Sequence, residues 1–146
     1  MDKYGLLDEI DASFSEVSYP YGKDFYRAIA DRDYQDYVLS NKEKRWTDIT
    51  KDELMKYYDF IFFLDANGVV YYLPLYMKLA IENVNIAEHQ CTTCLFMAII
   101  KLNPNILTIQ QRHSIIHFLT YCRDVLDPEL DLDEDLISEA IESIAR

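Results

Sequence analysis

Four side chains in this sequence have the types and order of a zinc site. Cys91 and Cys94 stand in C-x₂-C spacing within "HQCTTC", and His113 and His117 stand at i, i+4 within "HSIIH". Thiolate sulfur and imidazole nitrogen are the usual ligands of structural zinc, held about 2.0–2.3 Å from the ion. The gap between Cys94 and His113 is 18 residues, longer than the roughly 12–15 of finger-type sites. On the helix that carries them, His113 and His117 fall opposite an apolar set of Ile109, Ile115, Ile116, Leu119, Cys122 and Leu126. Cys94 opens the apolar run "CLFMAII" and is expected inside. The favoured reading is therefore buried thiols and surface histidines. A metal-dependent or thiol enzyme using Cys91, Cys94, His113 and His117 is the alternative.

Other chemistry has less support. Gly5, Gly22 and Gly68 are isolated and build no phosphate loop, and no G-x-S-x-G elbow is present. The acidic run "DLDED" lacks the glycine and ligand order of a calcium loop. No cofactor is expected.

Bulk charge carries more information. Lys and Arg number 14 against 26 Asp and Glu, a net charge of −12. Residues 124–146 alone account for −8, through nine acids and the single base Arg146. Such a field repels phosphate backbones and disfavours nucleic acid, while it attracts a basic protein. The expected contact residues are Asp131, Asp133, Glu134 and Asp135, with Tyr34, Tyr37 and Trp46 as aromatic anchors. Twelve tyrosines, several in charged company, suit either an interface or the margin of a core.

The elements that must position these residues are mostly helices. Three glycines and four prolines are too few for a sheet sandwich. Leu6, Leu7, Ile10, Phe14 and Val17 repeat at helical spacing. One or two helices are expected over 23–39. Thr50 with Glu53 and Thr108 with Gln111 spell two capping boxes, in which the hydroxyl and the longer side chain each satisfy a backbone amide of the first turn. Asn67-Gly68 between apolar runs is a hairpin signal, so one short β-hairpin within 60–72 is allowed for, followed by a helix with Pro74 in its first turn. Leu132, Leu136, Ile137, Ala140, Ile141 and Ile144 give the last helix one apolar stripe. The expectation is one mostly α-helical, compact multi-helix domain over residues 1–146. No apolar run approaches the ~20 residues of a membrane span. The N-terminal stretch has no secretory-signal pattern, and an odd cysteine count argues against a disulfide framework. A cytoplasmic protein is expected.

Three segments, "RWTDIT", "VVYYLPLYMKLAI" and "LTIQQRHSIIHFL", together resemble a family of small bacterial proteins of unknown function. Its members share W-x-[DE]-I, a YLP-A-Y-like segment and L-T-x-x-Q…F-L. The likeness runs over about residues 5–126, with Leu75 where a smaller residue is usual. Cys91, Cys94, His113 and His117 belong to none of these motifs, and the resemblance implies no activity. The leading functional expectation is a non-enzymatic, acidic interaction module, most concretely an immunity or antitoxin-like binder of a basic partner. A self-associating protein with tyrosines at a homo-oligomer interface is a further alternative.

Overall fold

The computed structural model describes residues 2–18, 45–56, 58–83, 90–130 and 132–146. The helices expected over 23–39, with Tyr34 and Tyr37, lie outside the described residues, as does Asp131.

The first helix, α1 (Lys3–Phe14), starts where the Asp2 carboxylate accepts from the Gly5 amide at 2.7 Å. It buries Leu6, Ile10 and Phe14, the 3–4 spacing of one helical stripe. A short helix, α2 (Lys51–Lys56), opens at Thr50, whose hydroxyl accepts from the Glu53 amide at 3.2 Å. Trp46 and Ile49 lead into it and are both buried.

The hairpin is not formed. Phe60–Phe63 is a 3₁₀ turn, and a long helix, α3 (Ala66–Glu82), runs straight through Asn67-Gly68. The reason is Asp65. Its carboxylate accepts from the Gly68 amide at 2.9 Å and its carbonyl from the Val69 amide at 2.9 Å, so Asn67-Gly68 occupies a helix's first turn. Because the helix begins there, Pro74 sits in its interior and not at its start. That position leaves the Val70 carbonyl without its i+4 donor. Burial along both sides of α3 (Val69 to Met77 without a break) explains why no amphipathic period advertises it.

Then come α4 (Gln90–Lys101), α5 (Ile109–Tyr121), α6 (Asp127–Leu130) and α7 (Glu134–Ala145). Thr108 and Gln111 close the full capping box at the head of α5. Between α5 and α6, residues Cys122–Leu126 widen into a π-helical turn, with the Asp127 amide donating to the Cys122 carbonyl. Pro128 follows at once, and a proline ring clashes with the carbonyl four residues back in a regular α-helix. The wider turn accommodates it.

The five longer helices pack in a closed ring. Its order is α1, α3, α4, α7, α5 and back to α1. The buried side chains form one core, and Tyr72, Tyr76, Phe14, Phe60, Phe96 and Phe118 are the bulkiest of those that are fully enclosed. Tyrosine hydroxyls also tie the 46–64 segment down. Tyr71 Oη accepts from the Trp46 amide at 3.0 Å; Tyr76 Oη accepts from the Ile61 amide at 3.3 Å and donates to the Tyr58 carbonyl at 3.1 Å. Among the described residues no helix is long and apolar enough to cross a membrane.

Candidate functional site

The ring separates the four would-be zinc ligands. Cys91 and Cys94 lie on α4 and the histidines on α5, with α7 between those two helices. Both cysteines are buried, 1% and 5% exposed, whereas His113 and His117 are exposed. Among the described residues, no three His, Cys, Asp or Glu side chains are arranged to hold one ion. The favoured reading of buried thiols and surface histidines is the arrangement found.

Burial also sets the chemistry of the thiols. It pushes Cys91 up to about 12, with Cys94 beside it adding to the rise, and Cys94 up to about 11, with Asp59 nearby contributing. Cys122, 0% exposed on the inner side of the α5 continuation, is raised by burial as well. The thiolate is the nucleophile, so all three are poor nucleophiles at neutral pH.

Across the outer junction of α1 and α5 a polar seam runs antiparallel. The Glu9 carboxylate faces His117 Nδ1 with its two oxygens at 2.8 and 2.9 Å. One turn on, Ser13 Oγ lies 2.6 Å from Ser114 Oγ. Gln111 then uses both ends of its amide: Oε1 accepts from the Thr108 amide at 3.0 Å, and Nε2 donates to the Ser13 carbonyl at 3.2 Å. A groove of about 400 Å³ opens beside this seam, bordered by Glu9, Glu16, Gln110 and His113. Asp124, on the same face as the histidines, is engaged by its neighbour Arg123 at 2.8 Å, and that bond holds its carboxyl below the ordinary range. Ile109, expected in the apolar set, is instead 68% exposed; Gln111 and Ser114 take its place in the buried face because the seam satisfies their polar atoms.

The acidic residues occupy α7. Asp133 caps it, accepting from the Leu136 amide at 3.1 Å, while Glu134 and Asp135 fill its first turn, where carboxylates complement the helix dipole. Those three thus have a local structural reason to be acidic. Glu139 and Glu142 do not, because the dipole's effect fades beyond the first turn. Asp135, Glu139 and Glu142 stand at i, i+4 and i+7, all exposed, opposite the buried Ile137, Ala140 and Ile144. Among the described residues no cation lies within ion-pair distance of these three. Glu139 and Glu142 were legible at helical spacing from Asp135 but are overshadowed in the sequence by the denser run before them. Trp46 is 8% exposed, with the Lys78 ammonium 5.5 Å from its ring centre, and so belongs to the core.

Fold and surface together define a helical protein with an acidic outer helix and a polar interhelical seam. The chain belongs to the family of unknown function DUF6714, which it matches over residues 2–144. No curated protein and no solved structure matches it.

Proposed function

We propose that this protein acts by holding a basic protein partner against the outer face of α7, without chemical transformation, in the manner of an immunity or antitoxin-like binder. The observation that carries this reading is the stripe Asp135, Glu139 and Glu142, exposed and without a neighbouring cation among the described residues. Like charges on one rigid face repel one another. A cationic partner removes that repulsion on contact and is drawn in from solution by the same field. Asp133 and Glu134 extend the negative region to the head of the helix. A partner with an exposed Lys/Arg patch, such as a nuclease whose site binds phosphates, has the complementary chemistry. The raised thiols speak against the thiol-enzyme alternative, since Cys91 and Cys94 stay protonated well above neutral pH.

The test is co-purification of the full chain with the product of the adjacent gene, at low and at high salt. Neutralising Asp135→Asn, Glu139→Gln and Glu142→Gln together should weaken the complex and flatten its salt dependence. A complex indifferent to both changes contradicts the reading.

A further inference from the structure

The α1–α5 seam holds a second feature, independent of the acidic face of α7. His113 and His117 stand one turn apart on the exposed side of α5, their ring centres 6.4 Å apart and their planes inclined by 35°. Two histidines at i, i+4 on one helix face are the spacing with which helical zinc sites present two imidazoles to one ion. Behind His117, from a different helix, stands the Glu9 carboxylate at 2.8 and 2.9 Å from Nδ1. An ionised carboxylate only accepts, so Nδ1 is the protonated nitrogen of that ring. In the neutral ring the lone pair then lies on Nε2, at the edge away from Glu9. That is the arrangement by which a carboxylate behind the ring fixes the tautomer and direction of a metal-binding histidine.

We propose that His113 and His117 form a chelating site for a borderline divalent cation such as Zn²⁺, with Glu9 as the positioning residue behind His117. Imidazole suits Zn²⁺, Cu²⁺ and Ni²⁺ rather than Mg²⁺ or Ca²⁺. Two nitrogens from one helix leave the remaining coordination positions to water, so the site is an open one. With His117 held by Glu9, the exposed His113 ring can turn about χ1 and χ2 to bring its outer nitrogen to the same ion, at the usual Zn–N distance of about 2.0–2.1 Å. Glu9 itself is not a ligand here, which agrees with the lack of any three-ligand cluster among the described residues.

The experiment is titration of the untagged full chain with ZnCl₂ by calorimetry, followed by nitrogen-15 spectra of the histidine rings. One saturable Zn²⁺ per chain is expected, with the resonances of His113 and His117 shifting on addition. His113→Ala and His117→Ala should each weaken binding at least tenfold. Glu9→Gln should weaken it about 10–100-fold and move the His117 ring away from the Nδ1–H tautomer before any metal is added. His89→Ala and Cys91→Ala with Cys94→Ala should leave the affinity unchanged, and circular dichroism checks that each variant is folded. Absence of saturable binding, or binding that survives loss of either histidine, overturns the proposal. A Glu9→Gln protein with unaltered affinity and tautomer removes the carboxylate's role from it.

Discussion

At the scale of single residues, the cysteines show how burial decides chemistry that spacing alone leaves open. C-x₂-C spacing by itself fits a ligand pair or two small hydrophobes; the apolar run that Cys94 opens favours the second, and α4 turns both thiols inward. Their raised values lead to two expected outcomes. Native protein should resist iodoacetamide at pH 8, reacting only after unfolding; prompt labelling of Cys91 or Cys94 would show that the thiols are accessible. The second concerns pH. A thiol raised in the folded state keeps its proton there while the unfolded chain, near 9, releases it. The unfolded state then binds fewer protons, so stability is at its full value below about pH 9 and declines toward 11–12. Urea unfolding between pH 8 and 10.5 should show that decline, and Cys91→Ala with Cys94→Ala should make it shallower. An equal slope in wild type and variant would assign the loss to other groups.

Among the secondary-structure elements, caps were the most readable features and the apolar aromatic stretch the least. Thr108 and Gln111 are short-range signals whose hydrogen bonds close within one turn, so the head of α5 was legible from four residues. What no four residues could show is that Gln111 also reaches the Ser13 carbonyl of α1. The two roles predict different costs. Thr108→Ala removes one cap bond and should lower stability by about 1 kcal/mol. Gln111→Ala removes a buried side chain and strips partners from the part-buried Thr108 amide and Ser13 carbonyl, and should cost more, roughly 1–3 kcal/mol. Chemical denaturation of both variants checks the order; equal losses would mean that the bond between helices contributes little. Asn67-Gly68 misled for a physical reason. The dipeptide suits a tight turn, yet Asp65 three residues before Gly68 offers its amide a cap, and a helix buried nearly all round has no period to betray it. The tyrosines of that helix proved to be core residues with internal hydrogen bonds, as Tyr71 and Tyr76 show.

For the molecule as a whole, net charge and its asymmetry were plain in the composition, and the mostly helical class followed from few turn residues and repeated apolar stripes. Neither says which acids face outward together, since that depends on how α7 rolls against α4 and α5. The fold orients it by burying Ile137, Ala140 and Ile144, and Ser143 fixes one flank by donating to the Ile100 carbonyl at 3.2 Å. The stripe of Asp135, Glu139 and Glu142 is what remains outside. If that face captures a basic partner through its field, association rate should depend on salt more than dissociation rate does. The most direct measurement is the affinity of the full chain for its adjacent-gene product at about 50 and 300 mM salt (a range over which exposed charges go from weakly to strongly screened), compared with the triple neutralised variant. The proposal predicts tight binding by the wild type at low salt, marked weakening at high salt, and a variant that binds weakly at both. Equal affinity of variant and wild type at the lower salt concentration would contradict it.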